Sequence, residues 1–550
     1  MKQFLILMSV SFFSQWALAT SPLDNLPIQD AGRLKPFDTF ARESLQLVYG
    51  KSTYNGQPAT DIVLTWLIAP AAWDDKALVK INRKDIKENL KLEVSESYFA
   101  AKTLFGNERL PLLIQDLRNK LTNKEKLDPY FQDVQKLENQ LSLYRALTMG
   151  MALRFVPPKE GETWKSVNEF DEAWLQNFGE ITKAFITYVS HKDGSGSDSP
   201  EFLQKAEADL QAAVKGFQEK ARAENPNLYP PEKDIQIEVH YNRLDPFKWA
   251  WIAYLLTALL FSFYMIQAQP NPMLYRLGWF FAIAGFAMHT YGFVLRCYLT
   301  GRPPVSNMYE SVIWVSWGAI FFGCIFEWVY KKVFPLLSAT IVGVLCLIVA
   351  SLAPNILDPS LQPLEPVLRS NMWLMIHVLT ITLSYSAFFL ALLMADLGLV
   401  YFLRSGFEKK ANELAQTTYR VIQIGVVLLF AGTVLGGIWA DYSWGRFWGW
   451  DPKETWAFIA FMGYIAVLHA KKGGYIHNFG FLVAAIISFS LVLMAWYGVN
   501  YVLGVGLHSY GFGGGGVPYV AAFIAAHLVY VSFVITVYRS RKKAKSLGQS

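Results

Sequence analysis

The sequence predicts an all-α polytopic membrane protein of about nine transmembrane helices behind an exported, mostly helical domain. Three observations predict it. From Trp249 onward apolar runs of about 17–25 residues recur, the length a helix needs to cross a hydrocarbon core. The chain of 550 residues is 53% hydrophobic and only 17% charged, and the charge sits mostly in the first half. The first 20 residues, MKQFLILMSVSFFSQWALAT, join one Lys to an apolar stretch and a small-x-small site. That is the pattern of a secretory signal peptide over 1–19, and an uncleaved anchor helix would export the next domain as well.

The exported domain is expected over 20–245. LPIQDAGRLKPFDTFARESLQLVYG (26–50) reads as a turn-rich entry leading to a helix from about Thr39, and DIVLTWLIAPAAW as a buried helix ended by Pro70. Apolar spacing is mostly helical from Lys84 to Phe155 and from Phe170 to Val189. After the break HKDGSGSDSPEF (191–202), Ser199 as N-cap and Pro200 at the first position signal a helix, closed by NPNLYPPEK (225–233). No internal repeat or catalytic motif stands out here. The three cysteines, Cys297, Cys324 and Cys346, lie in or beside later apolar runs. The exported domain therefore has no disulfide, and the absence of CxxC excludes thiol–disulfide exchange through that motif.

The membrane domain, expected over 246–540, reads as spans at 249–267, 277–299, 308–330, 336–353, 372–403, 420–440, 454–470, 479–503 and 518–538. The fifth is too long for one perpendicular crossing. With the first domain outside, the inner loops hold Arg276, Lys331, Lys332, Arg404, Lys409, Lys410, Arg420, Lys471 and Lys472, and a basic tail comes last at 541–550. The outer loops hold few basic residues, so the positive-inside rule is met at every loop. The net charge of +6 is thus a property of loops rather than of a nucleic-acid surface.

This topology puts three unusual loops on the outer face: RCYLTGRPPVSNMYES (296–311), WGRFWGWDPKETW (444–456) and GLHSYGFGGGG (506–516). An interfacial belt scatters its aromatics over many span ends. Here Trp444, Trp448, Trp450 and Trp456 crowd one loop with Asp451, Lys453 and Glu454, while Gly445 and Gly449 allow close approach. Such a surface suits a large, flat, mostly apolar ligand with polar edges. Of eight histidines, His377 and His508 fall at the depth of this loop. Two imidazoles across a flat macrocycle are a standard way to ligate heme iron, and ionisable groups in spans are functional suspects. His469 ends the seventh span on the inner side, as a second heme ligand or a snorkelling residue. His289 lies mid-span in the second span and His527 within the ninth.

At these residues the sequence resembles the CcsA/ResC-type cytochrome c biogenesis proteins, of the heme-handling superfamily that includes CcmC and CcmF. WGRFWGWDPKETW matches the family's tryptophan-rich WWD pattern, WGxxWxWDxKE, without a gap. NMWLMIHVLTITLSYSAF and GVNYVLGVGLHSYG resemble the stretches holding the two external histidines, and RCYLTGRPPVSNMYES the segment before the third span. The similarity covers about 250–515 in the same order. The resemblance implies a heme-handling subunit of a cytochrome c synthase, in the lyase class, in the bacterial inner membrane with its first domain and WWD loop in the periplasm. Heme b would be cargo, moved to an external site and joined to the CxxCH of an apocytochrome c. His377 and His508 would ligate external heme iron, His469 a transmembrane heme, and Trp444, Trp448, Trp450 and Asp451 would cradle the porphyrin. Arg446 or Lys453 could meet the propionates. The family's CcsB/ResB partner supplies a further histidine; no such multi-span segment is visible here, so either a separate subunit or an internal residue such as His289 takes that place. The alternatives are a heme exporter or chaperone that performs no ligation, and a scaffold that binds no heme.

Overall fold

The computed structural model describes residues 21–125, 127–159, 162–192, 200–303, 305–354, 356–362, 372–506 and 515–547. The expected signal peptide, Ser199 and His508 lie outside the described residues. The chain divides into one unit ending at Leu244 and another beginning at Asp245.

The first unit opens with an antiparallel hairpin, β1 (Pro27–Asp30) and β2 (Arg33–Pro36), Pro27 opposite Pro36. Ala31 and Gly32 turn the chain with φ of 47° and 76°, the two-residue geometry that matches strand twist. From sequence this segment shows only a turn-rich entry, because strands of four residues are too short to display alternation. Next come α1 (Phe37–Val48) and α2 (Ala59–Ile68), which stops just before Pro70 because the residue preceding a proline is driven out of the helical region. β3 (Ala77–Lys80) pairs with β4 (Tyr98–Ala100), and β5 (Arg154–Val156) with β6 (Lys165–Ser166), both antiparallel. The remaining helices are α3 (Lys84–Asn89), α4 (Ala101–Phe105), α5 (Leu110–Thr122), α6 (Pro129–Thr148), α7 (Glu172–Lys192), α8 (Pro200–Glu224) and α9 (Glu232–Leu244).

Phe155 of β5 joins three helices of this core, its ring 5.5 Å from Phe37, 6.1 Å from Phe178 and 6.4 Å from Phe217. Polar anchors complete it. The buried Glu238 of α9 accepts from both Nη atoms of Arg33 at 2.6 and 2.7 Å and from Thr39 Oγ1 at 2.8 Å. Arg243 Nη2 donates to Asp24 Oδ2 at 2.7 Å. Lys35 sits between Asp30, 2.9 Å away, and Glu43.

Among its described residues the regular elements of the second unit are all helices: α10 (Pro246–Ile266), α11 (Pro272–Thr300), α12 (Met308–Tyr330), α13 (Phe334–Leu352), α14 (Met372–Phe402), α15 (Glu408–Trp444), α16 (Pro452–Lys472), α17 (Asn478–Leu493), a π-helical stretch Met494–Leu503, and α18 (Val517–Leu547). Among the described residues eight helices are long and apolar enough to cross a membrane. The expected span that is not among these eight, the seventh at 454–470, is α16. At 21 residues it is about 32 Å long, enough to cross, but its Lys453, Glu454, Lys471 and Lys472 and its neutral residues lower its hydropathy. α15 begins twelve residues before the span expected at 420, with a polar leading stretch.

Close packing of these helices depends on glycine. On α11, an added Cβ would lie 2.2 Å from the Phe261 ring at Gly278, 2.8 Å from the Tyr254 ring at Gly285, and 2.9 Å from Pro246 and 3.0 Å from Phe247 at Gly292. Small residues let transmembrane helices approach in this way.

Candidate functional site

The Trp-rich loop hangs between two helix ends that are both capped. α15 ends at Trp444; Gly445 takes the left-handed conformation, φ 69°, and its N–H donates to Asp441 O at 2.9 Å. At the other end Asp451 is the N-cap of α16 and Pro452 its first residue. Asp451 Oδ1 accepts from Lys453 N at 3.0 Å, while Glu454 Oε2 accepts from Asp451 N at 3.2 Å and from Gly449 N at 2.8 Å. This capping box accounts for the acidic residues of the motif: they fold the loop. Trp450, φ 56°, holds a left-handed conformation rare for an aromatic residue. Arg446 lies over the Trp444 ring at 5.6 Å, and its guanidinium covers Gly449, where a Cβ would come within 1.2 Å of Nη1.

Beneath the loop is a cavity of about 360 Å³, within the range of small-molecule sites. Its walls come from α14 (His377, Ile381, Tyr385), α15 (Gly436, Gly437, Trp439), the loop (Phe447, Trp448), the start of α16 (Lys453, Glu454), the π stretch (Trp496, Asn500) and the segment from Gly301 to Met308. His377 is tightly held. Its Nδ1–H donates to Gly432 O at 2.7 Å; a carbonyl only accepts, so in the neutral ring the lone pair is on Nε2. Gly436 provides the seat: a Cβ there would lie 2.5 Å from His377 Cε1, and one at Gly437 would lie 2.6 Å from the Phe447 ring. Gly432 and Gly436 form a GxxxG face against α14, a spacing visible in the sequence but hidden inside an apolar run.

The π stretch shapes the adjoining wall. Wider turns of this kind are rare and frequent at functional sites. Here they bring Trp496 and Asn500, four residues apart, into the cavity. The Trp496 indole donates to Ser311 Oγ at 2.9 Å, and Lys453 Nζ donates to Trp496 O at 3.3 Å and to Asn500 Oδ1 at 3.2 Å. No local sequence signal marks a π turn.

The other residues singled out from the sequence are more dispersed. Trp448 lines the cavity, whereas Trp444, Trp450, Asp451 and Arg446 are absent from its lining; Trp444 instead packs edge-on against Trp439 at 4.6 Å, and Trp450 is largely exposed. His508 lies outside the described residues. His469 is 17 residues beyond Pro452 on α16, about 26 Å along the helix, and is exposed, with Nδ1 on Ile465 O at 2.8 Å. His289 is 0% exposed and enclosed by Phe247, Phe293 and Tyr254, whose hydroxyl is 3.1 Å from Nδ1. That enclosure leaves no room for a macrocycle beside it. His527 Nε2 faces Asp396 Oδ2 at 3.3 Å. Arg302, Tyr385, Trp439 and Trp496, all on the cavity, were not picked out from the sequence as site residues because they lie far from the Trp motif along the chain or carry no local signature.

Comparison with known proteins adds an independent line. A family model described as cytochrome C assembly protein matches residues 305–508. The chain is 34% identical over 288 residues to the cytochrome c biogenesis protein CcsA of Synechococcus sp. (strain CC9902), covering 47% of this chain and 93% of that protein. It is 33% identical over 298 residues to the CcsA of Prochlorococcus marinus (strain MIT 9303), covering 48% and 92%. It is also 29% identical over 494 residues to protein NrfI of Wolinella succinogenes, covering 87% of this chain and 53% of NrfI. The chain therefore spans about half the length of NrfI. That match is longer than the whole unit from Asp245 onward, so it reaches into the N-terminal unit as well.

Proposed function

This chain belongs to the CcsA family of cytochrome c biogenesis proteins, which have a role in cytochrome c maturation, and on that premise we propose that the cavity under the Trp-rich loop receives heme b for attachment to an apocytochrome c. The observation that carries the reading is His377. Its Nδ1–H is committed to Gly432 O at 2.7 Å, which presents Nε2 as the ligating nitrogen and fixes the ring plane. The site fits the cargo: Gly436 seats the His377 ring against its helix, and Tyr385, Trp439, Phe447, Trp448 and Trp496 supply flat apolar walls. His508 is the second axial ligand in this reading.

Heme supplies two vinyl groups. The CxxCH cysteines of the apocytochrome add to them, each S–H adding across one C=C, so the step consumes no oxidant or reductant. The protein's share is orientation and exclusion of water, which account for large rate effects when reactants are pre-aligned. The Trp loop faces the periplasm in this reading, the basic loops face the cytoplasm, and the N-terminal unit is exported. His469, exposed on α16, is suited to sharing the iron of a second heme with a histidine of a CcsB/ResB-like membrane partner.

The test is an absorbance spectrum of the full chain purified in detergent from heme-replete cells, oxidised and reduced, for wild type, His377→Ala, His508→Ala and the double variant. A bis-histidine spectrum weakened in each single variant and lost in the double supports the reading. Folded wild-type protein that stays colourless and takes up no added heme overturns it.

A further inference from the structure

The charged side chains that line the cavity are unequally compensated. Arg302, 8% exposed, lies just past the end of α11, and Lys453 opens α16. Arg302 Nη1 donates to Glu310 Oε2 at 3.0 Å and Nη2 to Gln362 O at 3.0 Å. Glu310, 0% exposed, is shared: Arg296 Nη2 donates to its Oε1 at 3.0 Å, and Ser306 N and Oγ donate to Oε2 at 2.9 and 2.8 Å. One carboxylate divided between two guanidiniums does not cancel the charge on Arg302. Lys453 Nζ donates to neutral oxygens, those of Trp496 and Asn500, with the Asp451 carboxylate as an electrostatic neighbour. The lining carboxylate, Glu454, is already engaged by Gly449 N and Asp451 N, with Arg446 Nη1 3.7 Å away. Two cations thus line a mostly apolar cavity, one on a carboxylate it shares with Arg296 and the other hydrogen-bonded to neutral oxygens alone, and charges held out of water gain from a further anion.

We propose that Arg302 and Lys453 form a carboxylate-binding edge of the cavity, which takes the propionates of the porphyrin and sets its in-plane orientation. The inference rests on the function proposed above and deepens it. Arg302 is pre-set to receive a carboxylate. Glu310 and the Gln362 carbonyl fix its planar fork, and a guanidinium so fixed can offer its remaining N–H groups with little loss of freedom. Lys453 adds a point charge held by the π stretch. In protoporphyrin the propionates and the two vinyls lie on different edges of the ring. Holding the propionates at Arg302 and Lys453 therefore turns the vinyl edge away from these cations, toward the side at which thiols enter.

The discriminating probe is ferric heme against its dimethyl ester, which keeps the iron, the ring and the vinyls but has no carboxylates. Both are titrated into full-length, heme-depleted protein in detergent, with axial ligation followed by absorbance. Wild type is expected to bind the diacid at least about tenfold more tightly than the diester, the scale of one charge-assisted hydrogen bond. Arg302→Gln and Lys453→Gln each lower diacid affinity toward that of the diester, with diester affinity and the His377-dependent spectrum preserved. Arg302→Lys, which keeps the charge and loses the fork, falls between. Lys453→Gln leaves the Glu310 cluster intact and keeps the test valid if Arg302→Gln fails to fold. Equal wild-type affinity for diacid and diester, with a His377-dependent spectrum for both, overturns this edge and leaves the heme site standing. Binding of neither overturns both.

Discussion

Gly436→Ala places one methyl group against the histidine that the site depends on. The added carbon would lie 2.5 Å from His377 Cε1, 2.8 Å from Nδ1 and 3.0 Å from Nε2, where ordinary contact needs about 3.5 Å. The ring must retreat by about 1 Å, and its 2.7 Å bond to Gly432 O cannot stretch that far and survive. Losing the bond costs about 1 kcal/mol and overpacking about 1–3 kcal/mol, while alanine in place of glycine returns about 1 kcal/mol of helix propensity. The net is a destabilisation of about 1–3 kcal/mol, accompanied by weaker heme binding. The assay is thermal unfolding of the detergent-purified chain in a double-mutant cycle with His377→Ala. Once the imidazole is gone the clash goes with it, so Gly436→Ala becomes neutral or stabilising by up to about 1 kcal/mol. An equal loss in both backgrounds would show that His377 is not what fills the glycine seat, and the account of how the ligand is held would fail.

Three further outcomes are expected. Asp451→Ala removes the N-cap of α16 and costs about 1 kcal/mol in thermal unfolding, whereas Asp451→Asn, itself a good cap, keeps stability and heme spectrum near wild type; loss of heme in the Asn variant with stability intact would give Asp451 a direct ligand contact. Glu238→Ala strips the buried partner from Arg33 and costs about 3 kcal/mol, read as a lower urea midpoint for the N-terminal unit in the full chain; an unchanged midpoint refutes the anchoring role. Burial alone would lower the Lys35 ammonium, but the carboxylates of Glu43 and Asp30 outweigh it and hold Lys35 above its ordinary 10.5. A group raised on folding stabilises fully below its unfolded pKa, so the contribution of Lys35 is intact below about pH 10.5 and is lost as pH climbs through the raised value. Lys35→Met should remove that part of the alkaline loss, and melting curves of the two proteins that fall in parallel above about pH 10 would contradict it.

The helices of the second unit were legible because runs of apolar residues are bounded by Pro, Gly and charge; α10 to α14 start and stop within a few residues of expectation. α15 overran because its leading stretch, Glu408 to Arg420, is helical without being apolar, and hydropathy is silent on polar helix. The hairpins of the first unit escaped because two to four residues carry no measurable period. At the site, the Trp loop and the depth of His377 could be read directly, since composition reveals an aromatic cluster. What each residue does could not. Asp451 lies beside the tryptophans and reads from the sequence as a ligand contact; the structure shows that it also caps α16, with Glu454 as the other half of the capping box. Arg302, Tyr385 and Trp496 reach the cavity through tertiary packing and a π turn, neither of which leaves a local pattern.

The glycines of α11 carry a consequence for assembly. Phe247, Tyr254 and Phe261 repeat every seven residues, and so do Gly292, Gly285 and Gly278, which receive them. Two matched periodic rows can mate in more than one way: slipping the helices by seven residues, about 10 Å, still seats two rings on two glycines. The rows therefore enforce closeness without enforcing alignment. Alignment needs a singular element, and the Tyr254 hydroxyl meeting His289 Nδ1 at 3.1 Å is one. In the slipped pairing that hydrogen bond would be lost, the penalty by which a buried polar residue fixes register in a coiled coil. The fully enclosed histidine, like Thr257 where its hydroxyl donates to Gly278 O at 3.2 Å, is thus a notch that favours one mutual height for these two helices.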